Sequence, residues 1–222
     1  MEKSDKMQPN ENIIKIINSI PPNVQILAAT KSRNIDEIKS VISLGINILG
    51  ENYLQEAKEK YAKLKGLVSF HLIGHLQTNK VKEAVEIFDM IQTVDSLKIA
   101  KEINKRTEKL MPVLIEVNIG YEKNKTGILP SDISDFLSSI STLNNLDVKG
   151  LMTMTPVMKV SEDYRRYFKK MKQIFEDSKA KNLQNIRMDI LSMGMSESYM
   201  LAIEEGSSMV RLGRILFEHS QS

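Results

Sequence analysis

Lys31 has a side chain that can do covalent chemistry at the place where a buried strand is predicted to end. It closes the apolar run VQILAATK in a chain of 222 residues. A lysine amine that is desolvated in such a position has a lowered pKa and can form a Schiff base with an aldehyde. The alternative is that Lys31 is the first solvated residue after the strand. This run alone supports both interpretations.

Two segments near the end of the chain have the composition of a phosphate-binding site. In SMGMSESYMLAIEEG, Gly194 lets the backbone approach a ligand closely, and Ser196 offers a hydroxyl that Ser198 could support. In RLGR, Gly213 allows a second close approach. Turns also need glycines, so each glycine by itself says little. Taken together, the two segments support a phosphate site and ordinary turns about equally.

Arg211 lies inside the apolar run MVRLGRILF, where an unpaired charge would be costly to bury. It must therefore be paired, bind a ligand or face the open end of the fold, and an ion pair with Glu116 is the structural alternative. A lysine amine, a phosphate site and an arginine beside a ring nitrogen together match what pyridoxal phosphate requires.

Short apolar runs alternate along the chain with longer segments of helical periodicity. The runs are VQILAATK (24–31), INILGE (46–51), SFHLIG (69–74), MIQTVD (90–95), PVLIEVNI (112–119), VKGLMTM (148–154), DILSMGM (189–195) and MVRLGRILF (209–217). Several of them are continuously apolar, which is typical of parallel strands covered by helices. The pattern predicts an α/β protein, a single (β/α)8 TIM barrel, with a doubly wound open sheet as the alternative.

Helix signals and boundaries complete this prediction. Asn34, Ser96 and Ser131 precede helical segments and are predicted N-caps. An extra N-terminal helix is expected at about residues 10–20 and the barrel at about 24–217. No linker or change of composition divides the chain, so residues 1–222 are predicted to form one domain.

Polar residues collect where the predicted strands end, which is the end of such barrels that carries the chemistry. They are Lys31, Glu51, Asn52, His75, Gln77, Asn79, Asn118, the segment SMGMS (192–196), Arg211 and Gly213.

Composition argues against several classes of function. The 31 basic and 28 acidic residues are spread along the chain and give a net charge of +3, so nucleic acid and membrane-surface partners are not expected. There are no cysteines, and the three histidines, His71, His75 and His219, lack metal-site spacing, so no metal is expected. The polar N-terminus is no signal peptide and no 18 apolar residues are consecutive, which favours a cytoplasmic protein.

Several motifs in order resemble the pyridoxal phosphate homeostasis protein family (YggS-like), whose barrel is related to the N-terminal domain of alanine racemase. They are AATK (28–31), GENY (50–53), HLIGHLQTNK (71–80), VNIGYEKNKTGI (117–128), GLMTM (150–154) and LSMGMSESYMLAIEEGSSMVRLGRILF (191–217). The resemblance extends over residues 24–217 and implies a barrel of the alanine-racemase N-terminal type.

The resemblance also implies how pyridoxal 5'-phosphate (PLP) is held. Lys31 carries it as a covalent Schiff base, Ser196, Gly213 and the backbone of Arg214 hold the phosphate, and Arg211 faces the pyridine nitrogen. Asn52 lies near the ring. A small hydroxylated residue is expected at position 214, so the arginine there leaves only a backbone N–H contact.

By the same resemblance, the protein acts in intracellular PLP homeostasis as a carrier or regulator without established catalytic turnover. PLP-dependent apo-enzymes are candidate recipients of the cofactor. An arginine at the ring nitrogen keeps that nitrogen neutral and weakens the electron sink that racemisation needs. Racemases with this arginine add a tyrosine from a second domain. The chain ends shortly after the last predicted strand, so we expect that domain to be absent. We therefore also expect the protein to be a monomer and its racemase activity to be weak or absent.

Two other functions remain as alternatives. One is a PLP-dependent amino acid racemase that uses Lys31 with Tyr53, Tyr121 or Tyr199, although packing or surface roles are favoured for these tyrosines. The other is a cofactor-free aldolase that forms a Schiff base at Lys31 with a phosphorylated sugar.

Three smaller features also have two interpretations each. Lys125 either touches an anionic ligand or is solvated, and His75 is expected to be a hydrogen-bonding loop residue rather than a proton carrier. The basic stretch MKVSEDYRRYFKKMK is expected to be a solvated helix face, with a docking surface for apo-enzymes as the alternative.

Overall fold

Eight parallel strands form a closed barrel in the order in which they occur along the chain. The structure is a computed structural model that describes residues 11–217. The strands are β1 (Gln25–Ala29), β2 (Ile48–Glu51), β3 (Ser69–Leu72), β4 (Met90–Val94), β5 (Met111–Glu116), β6 (Leu146–Met152), β7 (Ile186–Ser192) and β8 (Met209–Leu212). Because β8 pairs with β1, the predicted TIM barrel is confirmed and the open sheet is excluded.

Helices follow the strands and cover the outside of the barrel. They are α1 (Glu11–Ser19), α2 (Ile35–Ser43), α3 (Leu54–Leu64), α4 (Val81–Ile87), α5 (Leu97–Arg106), α6 (Ile133–Ile140), α7 (Arg165–Lys179), α8 (Tyr199–Glu204) and α9 (Arg214–Phe217), with short 3-10 turns at Thr78–Lys80, Pro130–Asp132 and Ser161–Tyr164. Helix α1 is the extra N-terminal helix that the sequence predicts; residue 10 lies outside the described residues. Every helix in the described part of the chain is too short or too polar to cross a lipid bilayer.

Two of the three predicted N-caps are confirmed. The side chain of Asn34 accepts hydrogen bonds from the backbone of Asp36 and Glu37, and the Glu37 carboxylate accepts one from the Asn34 N–H, which completes a capping box at α2. Ser96 accepts from the N–H of Ile99 at α5. The prediction for Ser131 is wrong, because a 3-10 turn precedes α6 and shifts the helix start to residue 133.

The ends of the first and last strands differ from the prediction. Strand β1 ends at Ala29, so Lys31 lies in the turn that follows the strand. Strand β8 ends at Leu212, and Arg214–Phe217 form a helix with Leu216 and Phe217 buried. A short apolar run can satisfy a strand or a buried helix equally well, so the sequence pattern did not separate the two.

The main core lies between the strands and the helices, and smaller apolar clusters fill the barrel. Leu27, Ile48, Ile73 and Met209 form one of these clusters. Leu27 is in register with Arg211 on the neighbouring strand, so both side chains point to the same side of the sheet. The side chain of Arg211 therefore points into the barrel, on the same side of the sheet as the Leu27 cluster.

Candidate functional site

A cavity of about 410 Å³ opens at the carboxyl end of the barrel strands. Its lining residues are Ala29, Asn52, Ile73, Met154, Thr155, Val157, Tyr164, Met195, Ser196, Glu197, Ser198, Arg211, Gly213 and Arg214. Five of the six residues that the sequence singled out for a ligand are among them, although they come from two widely separated parts of the chain, residue 52 and residues 196–214. This volume lies within the range of small-molecule sites, about 300–1,000 Å³.

Lys31, the sixth predicted residue, lies on the turn two positions after Ala29, which lines the cavity. Its side chain is exposed, and its Nζ atom is 5.2 Å from the centroid of the Tyr53 ring. Tyr53 directly follows Asn52, which also lines the cavity. The turn that carries Lys31 thus adjoins the cavity wall at the end of β1, and its amine lies over Tyr53, just after the end of β2.

The loops after β7 and β8 meet at one side of the cavity. The backbone N–H of Gly213 donates to Ser196 Oγ at 3.4 Å. Gly194 has a φ of +92°, and a Cβ atom built on it would lie 2.5 Å from the Cβ of Ala202, so only glycine fits. The two loops that the sequence predicted to form one phosphate site are therefore in direct contact.

Ser198 and Arg214 have partners of their own in these loops. The hydroxyl of Ser198 accepts a bond from the backbone N–H of Met195 at 3.3 Å, so it supports the turn. Arg214 forms an exposed ion pair with Glu197. The Arg214 side chain is thereby drawn toward a carboxylate of the opposite loop.

Arg211 is buried, and its guanidinium donates two hydrogen bonds inside the barrel. Nη1 donates to Ser192 Oγ and Nη2 to the carbonyl of Thr153, each at 2.7 Å. Burial lowers the pKa of Arg211 to about 10, with the charge of Glu116 acting in the opposite direction. The ion pair with Glu116 considered from the sequence is not among the direct contacts of the described residues, and the influence of Glu116 acts through space.

A buried chain of polar side chains continues from Arg211 across the barrel. The Ser192 hydroxyl donates to Gln92 Oε1 at 2.8 Å, and Gln92 Nε2 lies 3.0 Å from His71 Nδ1. Burial lowers the pKa of His71 to about 4, which keeps its imidazole neutral and leaves Nδ1 free to accept from the amide. The guanidinium is therefore held in place by a hydrogen-bonded interior.

Sequence reasoning missed Ser192 and Thr153 as partners of Arg211, and Gln92 as the partner of Ser192. A polar glutamine in the middle of the apolar run MIQTVD was the available signal, because a buried amide needs partners. The sequence does not reveal these pairs, because Thr153 is 58 residues from Arg211 and Gln92 is 100 residues from Ser192.

A histidine and two carboxyl groups extend the polar mouth on the side of β4 and β5. His75 Nδ1 lies 2.9 Å from the carboxylate of Asp95. Burial raises the pKa of Glu116, and the nearby charge of Asp95 raises it further. The sequence supplied no carboxylate close to His75, so its partner is a contact that only the fold creates.

The remaining polar candidates are engaged in local structure. Asn118 donates to the carbonyls of Glu122 and Lys125 and accepts from the Glu122 N–H, which shapes the loop after β5. Lys125 forms an ion pair with Glu122 at 2.6 Å. Tyr121 accepts a hydrogen bond from Lys170, whose ammonium also lies over its ring.

A second cavity, of about 560 Å³, lies on the other side of Asn52 and Tyr53 and includes His75 and Gln77 in its walls. No group of three or more His, Cys, Asp or Glu side chains within residues 11–217 could hold a metal ion, and His219 lies outside these residues.

The donor set of the smaller cavity suits pyridoxal phosphate. Ile73, Met154 and Met195 supply apolar wall for a ring, while the Ser196 hydroxyl and Arg211 supply polar groups at separate positions. An amine on the adjoining turn completes the three functions that the sequence predicted. The residues present therefore fit this cofactor in chemistry and in size.

Comparison with known proteins shows one matching family and several similar curated proteins. Residues 5–221 match the family described as alanine racemase, N-terminal domain. A relative from Aquifex aeolicus, named pyridoxal phosphate homeostasis protein, is 38% identical over 197 residues and covers 87% of this chain and 86% of its own. A relative of the same name from Haemophilus influenzae is 38% identical over 217 residues, with 95% and 91% covered.

Solved structures with the same fold include a PLP-bound protein and an alanine racemase. The structure of PipY from Synechococcus elongatus with PLP bound has a TM-score of 0.86 and 28% identity, and the match covers 95% of this chain and 100% of PipY. Alanine racemase from Clostridium difficile has a TM-score of 0.77 at 17% identity, and the match covers 96% of this chain and 56% of the racemase, which shows a shared fold alone.

Proposed function

The chain belongs to the family of the alanine racemase N-terminal domain, and from this premise we propose that it binds pyridoxal 5'-phosphate and acts in PLP homeostasis. The observation that carries the proposal is the convergence of Asn52, Ser196, Arg211 and Gly213 on one cavity next to the turn of Lys31. Relatives named for this role and a PLP-bound relative of the same fold support it.

In this proposal each predicted residue has one task. Lys31 holds the cofactor covalently as a Schiff base, and Asn52 contacts the ring. Ser196 and the backbone N–H groups of Gly213 and Arg214 hold the phosphate. Support comes from the contact between the two phosphate loops and from the exposed position of the Lys31 amine.

In the proposed complex Arg211 faces the ring nitrogen of PLP. This contact explains why the protein would bind the cofactor without catalysing a reaction with it. Bound pyridoxal phosphate supplies an aldehyde for amines and an electron-withdrawing ring. With a pKa of about 10, Arg211 stays protonated at neutral pH and has only N–H donors to offer. A ring nitrogen opposite such a donor stays unprotonated, so the ring withdraws electrons weakly.

We infer that residues 1–222 act as one cofactor-binding domain, as a cytoplasmic monomer, with PLP-dependent apo-enzymes as recipients of the cofactor. The absence of cysteine from the sequence suits a reducing compartment. Light scattering of the purified protein with and without PLP tests the monomer, and a doubled mass would contradict it.

The decisive experiment is an absorbance spectrum of the purified protein before and after borohydride, followed by peptide mapping. The proposal expects a visible Schiff-base band that borohydride removes, with the added mass on the peptide that holds Lys31. Lys31→Ala should lose both the band and the modified peptide. Lys63→Ala, an exposed lysine on α3, is the control and should retain them. Modification of another lysine in the wild-type protein would overturn the assignment.

Racemase activity is the second candidate, because the Tyr53 ring lies beside the Lys31 amine. Incubation of the PLP-loaded protein with L-alanine or L-serine in deuterated water separates the two functions. The carrier function predicts negligible exchange of the α-proton. Exchange that is comparable in rate to that of a racemase, and that disappears in Tyr53→Phe, would establish the enzyme instead.

A further inference from the structure

Lys60 is a buried lysine on the inner side of α3, close to the residue that we propose as the site of attachment. Its ammonium donates to the backbone carbonyl of Thr30 at 2.6 Å and to the carboxylate of Glu51 at 2.8 Å. It also lies 3.4 Å from a carboxylate oxygen of Glu56, one turn earlier on the same helix. Thr30 directly precedes Lys31, so this ammonium holds the peptide group on one side of the reactive residue.

The peptide group on the other side of Lys31 is held by the same helix. The backbone N–H of Ser32 donates to the Glu56 carboxylate at 2.9 Å. Ser32 has a φ of +58°, a left-handed conformation that is unfavourable for a residue with a Cβ atom. The bond to Glu56 stabilises that conformation, and through it the direction in which the chain leaves Lys31.

Glu51 connects this cluster to the barrel. It ends β2, is fully buried, and accepts a hydrogen bond from the Thr30 hydroxyl. Burial raises the pKa of Glu51, while its bonds to Lys60 and Thr30 act in the opposite direction. Its second oxygen has no hydrogen-bond partner among the described residues. The charge of Lys60 is thus the main compensation for a carboxylate at the end of the strand next to β1.

A buried lysine paired with two carboxylates is costly to desolvate and adds little net stability on its own. Its bonds are nevertheless charge-assisted and directional, which suits them to fix a backbone. Here they act on the turn of residues 30–32. The strand before the turn is already held, because the Thr30 N–H donates to the carbonyl of Gly50. Lys60 and Glu56 add the restraints that the strand pairing cannot supply.

We propose that Lys60, together with Glu56, is a positioning residue that orients the Lys31 amine for reaction with the aldehyde of the cofactor. The inference rests on the proposed function, because it needs Lys31 to be the point of attachment. Lys60 itself does not touch the cofactor in this account. It restricts the turn so that the amine spends more of its time facing the cavity, which lowers the entropic cost of forming the covalent bond.

The test is Lys60→Met, with Lys63→Met as a matched control that is exposed on the same helix. Three quantities are measured: the dissociation constant for PLP from the visible band, the fraction of the Lys31 peptide that borohydride traps, and the thermal midpoint of the apo-protein. We expect Lys60→Met to raise the dissociation constant about tenfold or more, as loss of a charge-assisted bond would. Lys63→Met should leave it within about twofold of the wild-type value.

Lys60→Arg should restore part of the affinity, because an arginine keeps the charge and the donors. A purely structural lysine would lower the apo midpoint in Lys60→Met while a folded sample retained the wild-type dissociation constant, and that result would overturn the inference. If Lys60→Met does not fold, Glu51→Gln with Lys60→Met removes the uncompensated buried carboxylate and is measured in its place.

Glu56→Gln tests the same mechanism while the bonds of Lys60 to Thr30 and Glu51 stay in place. It weakens the acceptor for the Ser32 N–H and should raise the dissociation constant in the same direction, by about threefold to tenfold. An unchanged constant in this folded variant also contradicts the inference. Wild-type protein that forms no borohydride-reducible adduct at Lys31 would instead reject the proposed function, so the two failures have different signatures.

Discussion

The hydroxyl of Ser192 donates a hydrogen bond to the side-chain carbonyl of Gln92 at 2.8 Å, although 100 residues separate them in the chain. Ser192 ends β7 and Gln92 lies in the middle of β4, so the bond crosses the interior of the barrel. The same hydroxyl accepts from the buried guanidinium of Arg211. The bond therefore joins the wall of the barrel to the charged group at the base of the cavity.

A double-mutant cycle measures this coupling. Ser192→Ala and Gln92→Leu should each lower the free energy of unfolding by about 1–3 kcal/mol, because each leaves a buried polar partner unsatisfied. The two changes together should cost less than their sum, with a coupling of about 0.5–3 kcal/mol. Urea unfolding of the apo-proteins gives these values.

The control for this cycle pairs Ser192→Ala with Thr107→Val. Thr107 caps the far end of α5 and bonds to the carbonyl of Lys109, with no link to Ser192 among the described contacts. Those two changes should be additive within about 0.5 kcal/mol. Equal additivity for the Ser192 and Gln92 pair would show that the interior bond has no energetic role.

Gly194 should not tolerate a side chain, for steric as well as conformational reasons. Gly194→Ala places a Cβ 2.5 Å from the Cβ of Ala202 and 3.1 Å from the Cα of Tyr199. We expect a loss of about 2–4 kcal/mol in the free energy of unfolding from crowding and left-handed strain. The affinity for PLP should fall too, because the loop that carries Ser196 must move.

Gly45→Ala separates the two causes, because Gly45 has almost the same φ, +91°, and a Cβ atom added to it would have no neighbouring atom within 4 Å. Strain alone should cost it about 1 kcal/mol. Equal losses for the two variants, measured by urea unfolding, would mean that the space around Gly194 is not limiting.

Ser196→Ala should weaken the binding of phosphate specifically. We expect the dissociation constant for PLP to rise about tenfold, as loss of one hydrogen bond to a charged oxygen would require. Pyridoxal, which lacks the phosphate, should bind both proteins equally and is the matched ligand control. Titration of the visible band with each ligand gives the constants, and an equal loss for pyridoxal would contradict a phosphate contact at Ser196.

His71 should make the protein less stable in mild acid. Its pKa is about 4 in the fold against an ordinary value of 6.5, so between these values the unfolded chain binds more protons and the free energy of unfolding rises with pH. Lowering the pH from 7 to about 4.5 should cost about 2 kcal/mol through this group. His71→Asn, which retains an acceptor for Gln92, should reduce that loss.

The measurement is urea unfolding of both proteins at the two pH values. Glu51 and Glu116 have raised pKa values and contribute with the opposite sign, but they are present in both proteins and cancel in the comparison. Identical pH dependence in the wild type and in His71→Asn would show that His71 is not the group that titrates.

Much of the fold and part of the site could be predicted before the structure. The eight apolar runs each correspond to a strand, since buried parallel strands need continuous apolar residues. Asn34 predicted the start of α2, because its side chain can accept hydrogen bonds from the first N–H groups of a helix. The strand ends were less certain. Residues 215–217 form an apolar run that fits a strand or a short buried helix, and the sequence pattern does not distinguish the two.

The residues that line the cavity could be predicted because the carboxyl ends of all the strands lie at the same end of a barrel. Asn52, Ser196, Arg211 and Gly213 could be placed together on topology alone, and the family's motifs strengthened the choice. What supports them could not be placed. Lys60 is one of three lysines on the amphipathic helix α3, and the sequence of that helix does not reveal that the Lys60 ammonium reaches the carbonyl of Thr30.

The sequence by itself thus determined the kind of fold, the end of the barrel where chemistry takes place and the types of side chain that meet there. These follow from local periodicity and from residue chemistry, which are properties of short segments. The tertiary structure alone decided the pairs: Ser192 with Gln92, His75 with Asp95 and Lys60 with Glu51. Hydrogen bonds act only over about 3 Å, so their partners depend on how distant segments close into a barrel.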